Sequence, residues 1–398
     1  MFSSVYSKVL LGAGLGWLAT SFYYHKLRLP EAVTMDFPDY CRLMGYRVEE
    51  YKVKTEDNYI LTLYRLGKAE GINANKEPLL MVHGLTHSSH TYVVSQTSKA
   101  PAFQLVDNDF DVWLINTRGN YLSRSHSSLS PSEDKFWEWC ADHIGHYDIP
   151  ATIDFILTKT GKRKLSYLGH SQGTYVALYC FAMKPEYADK VKLAVLWTPV
   201  GPSLTVKCKY VADLFNYDNI KEFENQGLKV VGDYPKSTLE ARKALMFPKY
   251  YANLLIEKYN VFLNNDDPRV IAVYLQKFTG GTSLMNLKFW TQVKENPEDA
   301  LYTYDYGEEI NLQVYGQPKP KRVNLHEIRC KLALMGGKYD TLITPEDFEN
   351  NVKHFPKDKV VWAKGDYKQD HSGFAVSNNQ EHVQDTIRLL KQHLLITS

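Results

Sequence analysis

Short, almost wholly apolar runs recur along this chain, near residues 79–83, 110–116, 164–168, 193–197, 332–335 and 360–363. Runs of that length predict strands buried on both faces, and the longer stretches between them carry helical spacing. Strands that alternate with helices predict an α/β fold, a mostly parallel central sheet flanked by helices on both sides. The alternation stops between Thr198-Pro199-Val200-Gly201-Pro202 and about Asn311. That stretch is rich in helix-forming and aromatic positions (Phe215, Phe223, Phe247, Tyr250, Tyr251, Tyr259, Phe262, Tyr274, Phe278, Phe289, Trp290), which predicts an inserted helical cap or lid. The expected organisation is a core in two parts, 38–199 and 311–398, a cap at 200–310 and a hydrophobic N-terminal segment at 1–30.

One turn carries reactive chemistry. Gly169-His170-Ser171-Gln172-Gly173 lies between the strand-like run Leu165-Ser166-Tyr167-Leu168 and a helix-like run from Tyr175 to Met183. A sharp strand-to-helix turn needs residues without bulk on either side of the serine. It exposes the hydroxyl at the carboxyl edge of a sheet and leaves the N–H of Gln172 pointing into the same space. A serine hydroxyl is a poor nucleophile near neutral pH, so it needs a base, an orienting acid and donors for an oxyanion.

The acid and base of such a serine follow it in the chain. Asp340 comes just past the run Leu332-Ala333-Leu334-Met335, where a carboxylate can reach an imidazole. His371 lies in the loop after Val360-Val361-Trp362-Ala363. Of the 13 histidines, it alone follows both the serine and a carboxylate in such a loop. His326, His354, His382 and His393 read as surface or core residues. Asp366 and Asp370 compete with Asp340 for the acid role, but their closeness to His371 in one loop reads as surface or loop-capping. Upstream, Pro78-Leu79-Leu80-Met81-Val82 ends in a tight turn, His83-Gly84-Leu85.

Composition narrows the classes further. With 398 residues, 44% of them hydrophobic, the chain can bury a large core. A net charge of +2 gives no electrostatic case for nucleic acid. Neither a Gly-rich phosphate loop nor Cys/His metal spacing occurs, so no cofactor and no metal are expected. Cys41, Cys140, Cys180, Cys208 and Cys330 are scattered and odd in number, which is not a disulfide framework; Cys180 reads as core.

With these residues in place the chain resembles the acid lipase family of α/β-hydrolases, which includes gastric lipases, lysosomal acid lipases and fungal steryl ester hydrolases. The resemblance runs from about Asp39 to the C-terminus. Gly45-Tyr46-Arg47-Val48-Glu49-Glu50 with Thr55-Glu56-Asp57-Asn58-Tyr59-Ile60-Leu61 is similar to the family's N-terminal hairpin. Asp111-Val112-Trp113-Leu114-Ile115-Asn116-Thr117-Arg118-Gly119-Asn120 is similar to its DVW-x-x-N-x-RGN strand and loop. Phe136-Trp137-Glu138-Trp139, Tyr147–Asp154, Tyr304-Asp305-Tyr306-Gly307 and Tyr315-Gly316-Gln317 add to the likeness. Three positions depart from the pattern: Asn58 in place of glycine, His143 in place of an acid, and Ser372-Gly373-Phe374 where Leu-Asp-Phe is usual. None removes Ser171, Asp340 or His371.

The resemblance implies an α/β-hydrolase fold and a Ser171–Asp340–His371 triad. The backbone N–H groups of Leu85 and Gln172 would form the oxyanion hole. It implies hydrolysis of lipid esters, steryl esters or acylglycerols, through an acyl-enzyme at a membrane or lipid-droplet surface, with some cap aromatics lining an acyl pocket. An acyltransferase using the same triad and a non-catalytic lipid-binding protein are the alternatives.

At the N-terminus, Val9–Tyr24 carries no charge and is bracketed by Lys8 and by His25, Lys26 and Arg28. It is short for a membrane span, which needs about 20 residues, and long for the core of a cleaved signal. Ala19-Thr20-Ser21 offers a cleavage site, whereas Phe22-Tyr23-Tyr24 offers an interfacial anchor. The absence of any Asn-x-Ser/Thr acceptor favours membrane association through this segment, at the endoplasmic reticulum or a lipid droplet. Lysosomal or secreted delivery after cleavage is the alternative.

Overall fold

The computed structural model describes residues 31–72, 75–95, 99–232, 238–247, 249–251, 253–254, 268–277, 280–296 and 300–396. The N-terminal segment 1–30, with its anchor or signal, lies outside them. Among the described residues, no helix is long and apolar enough to cross a membrane.

The strands are β1 (Tyr46–Lys54), β2 (Tyr59–Lys68), β3 (Glu77–Val82), β4 (Phe110–Asn116), β5 (Ser125–His126), β6 (Leu165–His170), β7 (Val191–Trp197), β8 (Val230–Val231), β9 (Thr282–Ser283), β10 (Lys331–Gly337) and β11 (Val360–Tyr367). The main sheet runs β1-β2-β4-β3-β6-β7-β10-β11, with the short β5 paired to β2. β1, β2 and β4 are joined antiparallel, and from β4 to β11 all pairings are parallel. This is the α/β-hydrolase architecture. The apolar runs read from the sequence are its parallel strands: β4 coincides with its run, β7, β10 and β11 reach one to four residues beyond theirs, and the ends of β3 and β6 differ from theirs by one or two residues.

Those runs are continuous because both faces of the sheet are covered. Along β4, Trp113 and Ile115 enter one core while Val112 and Leu114 enter the other. β3 divides its Leu80 and Val82 from its Leu79 and Met81 in the same way. Helices Ile149–Thr160 and Gln172–Met183 cover the first face, and helices Pro101–Asp107 and Glu381–Ile396 cover the second. β11 differs. At the sheet's edge its residues are half-buried or exposed as far as Asp366, and it continues through Lys364, Gly365 and Asp366 to the buried Tyr367, residues expected in the loop.

From Lys209 to Glu295 the described chain is mainly helical: Lys209–Leu214, Tyr217–Asn225, Thr238–Met246, Pro268–Lys277 and Leu284–Glu295. A two-stranded pairing of β8 with β9, which had no counterpart in the sequence pattern, ties the stretch together. The stretch is fastened to the core at both ends. At its start, Ser203 and Thr205 donate to the Asp347 carboxylate at 2.9 and 2.7 Å. At its end, the Tyr304 N–H donates to Asp142 at 2.6 Å, and the Tyr175 hydroxyl donates to the same carboxyl at 2.7 Å.

Two of the three departures from the family pattern have local explanations. Asn58 adopts φ 73°, the left-handed conformation that glycine would supply and Asn tolerates. The His143 imidazole accepts the Cys140 N–H at 3.1 Å and caps the helix start there. All five cysteines are free thiols and buried.

Asp142 makes the fold pH-sensitive. Burial drives its pKa up to about 7, against the pull of the hydrogen bonds from Tyr304 and Tyr175. Below its unfolded pKa near 4, both states are protonated. As pH rises toward 7 the unfolded chain loses this proton first, so the group's contribution to stability falls and then levels off above about 7. Asp142→Asn keeps both hydrogen-bond partners and cannot ionise. Its melting temperature relative to wild type should therefore rise from pH 4 to about pH 7 and then level off by calorimetry; a flat difference would mean that folding does not raise the pKa of Asp142.

Candidate active site

At the carboxyl end of β6 the chain turns into helix Gln172–Met183 through Ser171, which is held at φ 54° and ψ −121°. A side chain rarely adopts that conformation, and here the surroundings enforce it. The Ser171 N–H donates to the Trp197 carbonyl at 3.0 Å, and the Tyr167 hydroxyl donates to the Gly173 carbonyl at 2.7 Å. The two glycines are steric requirements. A Cβ on Gly173 would overlap the Val82 carbonyl of β3, and one on Gly169 would overlap the Gly173 carbonyl.

Three loops at this edge bring Ser171, His371 and Asp340 together. The Ser171 hydroxyl donates to His371 Nε2 at 2.8 Å, and His371 Nδ1–H donates to Asp340 Oδ2 at 2.9 Å. The other oxygen of Asp340 accepts the N–H groups of Leu342 and Ile343 at 2.8 and 2.9 Å. The carboxylate thus accepts three hydrogen bonds, and its side chain is fully buried. A carboxylate at Nδ1 fixes the tautomer that leaves Nε2 as acceptor.

The two competing carboxylates stand elsewhere. Asp366 is exposed on β11. Asp370 is buried, not on the surface, and closes the histidine loop by accepting the Gly373 N–H at 2.6 Å. Leu85 and Gln172 border the same cavity as Ser171 and His371. Gly84 lets that loop pass close, since a Cβ there would lie 3.1 Å from Ser171 Cβ. His83 supports the turn from behind: its Nδ1–H donates to the Gly84 carbonyl at 2.9 Å, and its Nε2 accepts the Thr117 N–H at 3.2 Å.

Sequence reasoning missed the histidines that position His371. His170 donates from Nε2 to the His371 carbonyl at 2.8 Å. His382, read only as a surface or core residue, donates to the Phe374 carbonyl at 2.7 Å and so holds the far side of the same loop. Burial keeps both neutral, lowering the pKa of His170 to about 3 and that of His382 to about 4. No spacing rule marks either one, because each acts on a backbone carbonyl brought near only by folding.

The cavity over Ser171 is apolar. Leu204, Val206, Val211, Leu214 and Phe215 come from the first cap segment, Leu287 and Trp290 from helix Leu284–Glu295, and Leu342 and Ile343 from the acid loop. Of the aromatic residues singled out in the sequence, Phe215 and Trp290 line it. Tyr274 and Phe289 are core, Phe247 and Tyr250 are exposed, and Tyr259, Phe262 and Phe278 lie outside the described residues. Among the described residues no cluster of His, Cys, Asp or Glu could hold a metal ion.

Comparison with known proteins is consistent with this geometry. Residues 37–96 match the model of a partial alpha/beta-hydrolase lipase region, and residues 77–366 match that of the alpha/beta hydrolase fold. The chain is 31% identical over 384 residues to lipase member K of Homo sapiens, covering 92% of each chain. It is 33% identical over 377 residues to the gastric triacylglycerol lipase of Homo sapiens, covering 90% of this chain and 92% of that one. A soluble variant of monoglyceride lipase from Saccharomyces cerevisiae, solved with a substrate analog, superposes with a TM-score of 0.53 at 13% identity. It covers 87% of this chain and 96% of its own, a likeness of fold.

The steric argument for the turn is testable by stability. Gly173→Ala should destabilise the protein by about 3 kcal/mol or more, because the added methyl meets backbone that cannot move aside. Urea unfolding measures this, and a loss under about 1 kcal/mol would show that β3 can yield.

Proposed function

This chain belongs to the acid lipase family of α/β-hydrolases, and we propose that it is a serine hydrolase cleaving lipid esters, either steryl esters or acylglycerols. The coarser part, an ester hydrolase, rests on the relatives named above. The observation that carries the finer reading is the hydrogen-bonded chain from Ser171 through His371 to Asp340, opening into an apolar cavity.

Ser171 Oγ attacks the ester carbonyl while its proton passes to His371 Nε2. Asp340 stabilises the imidazolium so formed and keeps the ring in place. The negative charge that develops on the carbonyl oxygen is taken by the N–H groups of Leu85 and Gln172. His371 then gives its proton to the leaving alcohol oxygen, which departs and leaves the acyl group on Ser171. Water attacks the acyl-enzyme by the same sequence, releasing the fatty acid and restoring the serine. An acyl chain placed in the cavity gains about 0.8 kcal/mol for each CH₂ buried, so long chains are favoured over short ones. The gastric relative supports the lumenal or secreted alternative for location over membrane anchoring.

Ser171→Ala should remove ester hydrolysis, a loss on the order of 10⁴ to 10⁶ in rate, with the melting temperature little changed. Soluble Ser171→Ala protein that turns over normally would rule the mechanism out. Asp340→Asn should lose on the order of 10⁴ because the amide favours the wrong imidazole tautomer, whereas Asp370→Asn should leave most of the rate. If Asp370→Asn is the inactive variant, the acid is misassigned.

The cavity makes a separate prediction. Phe215→Ala should lower kcat/KM for triolein or cholesteryl oleate about tenfold more than for p-nitrophenyl acetate, because only the long acyl chain has that contact to lose. Equal losses on both substrates would mean that Phe215 supports the cap and does not touch substrate.

A further inference from the structure

Gln172 has a backbone and a side chain that face different partners. Its backbone N–H follows the nucleophile, while its side-chain Oε1 accepts two hydrogen bonds from cap helix Leu284–Glu295. These come from Asn286 Nδ2 at 2.8 Å and Trp290 Nε1 at 2.8 Å. An indole nitrogen can only donate, so the atom facing Trp290 must be the amide oxygen of Gln172. The Asn286 group facing the same oxygen must then be its NH₂. That group is also held by Thr282 Oγ1 at 2.9 Å, which fixes the Asn286 rotamer.

The arrangement is unfavourable for Asn286 itself. The residue is completely buried, and its Oδ1 finds no hydrogen-bond partner among the described residues. A buried acceptor without a partner lowers stability, so packing alone would favour an apolar residue at this position. What Asn286 supplies is its NH₂ donated to Gln172. Aromatic contacts hold the helix in register over the turn: Tyr175 lies 4.9 Å from Phe289 and 5.5 Å from Trp290.

The turn at Ser171 is strained, and strained backbone keeps its geometry only where several contacts over-determine it. On the sheet side those contacts are the bonds to Trp197 and from Tyr167. On the cap side they are the two bonds to Gln172. We propose that Asn286 and Trp290 are positioning residues for the oxyanion hole, so that the site is complete only while helix Leu284–Glu295 is docked on Gln172. This rests on the serine-hydrolase reading above and adds to it a dependence of catalytic rate on cap position.

The test uses Trp290→Phe, which keeps an aromatic ring but removes the donor, and Asn286→Leu, which keeps the approximate volume but removes the NH₂. Steady-state kinetics on p-nitrophenyl butyrate and on a long-chain ester should show kcat lowered about 10- to 100-fold. That is part of the ~10²–10³ lost with a whole oxyanion donor. The factor should be the same on both substrates, with KM little changed and with labelling of Ser171 by a phosphonate slowed in proportion. In a Gln172→Met background, where the acceptor is gone, adding Trp290→Phe should lower kcat no further.

A KM increase confined to the long ester would overturn the proposal in favour of a pocket-lining role. A lower melting temperature with unchanged kcat would overturn it in favour of a structural one. Should either single variant fail to fold, the other and the Gln172→Met pair decide the matter. A wild-type protein that neither reacts with the phosphonate at Ser171 nor hydrolyses esters removes the serine-hydrolase reading and this inference together. An active wild type with unaffected variants removes the inference alone.

Discussion

The close approach of Gly173 to the Val82 carbonyl is the constraint on which the site depends. Helix Gln172–Met183 must start in contact with β3 for Ser171 to stand clear of the sheet, and only two glycines separated by three residues leave room for it. The contact sets where the helix begins, and it places the hydroxyl beside the loops after β10 and β11. Because β6, β7, β10 and β11 are consecutive in the sheet, those loops need only short reaches to bring Asp340 and His371 in. Several further features of the site are neighbours of this contact in the chain. His83 and Gly84 follow Val82 directly, and His170 precedes the serine.

The imidazole of His371 is held by its backbone as much as by its ring. Asp340 fixes Nδ1, but the loop carrying it is fixed by His170 from one side and by His382 and Asp370 from the other. These supports are buried neutral histidines and a buried loop-closing carboxylate, not exposed ion pairs. The two histidines stay uncharged because burial penalises the imidazolium, so their hydrogen bonds persist well below the ordinary histidine range. In the proposed mechanism His371 gains and loses a proton in each turnover, and two of the groups that hold its loop, His170 and His382, stay neutral throughout.

The parts of this arrangement that were legible in the sequence share a physical cause. β3, β4, β6, β7 and β10 could be read because both of their faces are buried, which makes their sequences continuous apolar runs. β11 was recognised but cut short at Ala363, since Lys364, Gly365 and Asp366 end the apolar run although the strand continues to the buried Tyr367. The two-residue strands β5, β8 and β9 leave no periodicity to read. Ser171, His371 and Asp340 stood out through their order and their places after strands, because the triad's geometry is tied to strand ends. His170 and His382 gave no such signal, since what they bind is a carbonyl rather than a side-chain type. Of the cap aromatics a few, Phe215 and Trp290, line the cavity, whose wall is otherwise largely aliphatic, and most of the others described pack within the protein or face outward, as a cap with its own core requires.

The cap is fastened by bonds of unequal strength, and that inequality decides how it can move. At its start, the Asp347 carboxylate takes hydrogen bonds from Ser203, Thr205 and Thr344. Burial alone would raise its pKa, but these bonds outweigh burial and hold it below the ordinary range. Hydrogen bonds to an ionised group contribute about 1.5–3 kcal/mol each, and neutral ones about 0.5–1.5. The contacts of Asn286 and Trp290 with Gln172 are neutral on both sides. A displacement of helix Leu284–Glu295 therefore breaks the weaker bonds over the nucleophile while the charged fastening at residues 203–205 holds. In the proposed mechanism Gln172 is an oxyanion donor, so such a displacement would reach the chemistry before it reached residues 203–205.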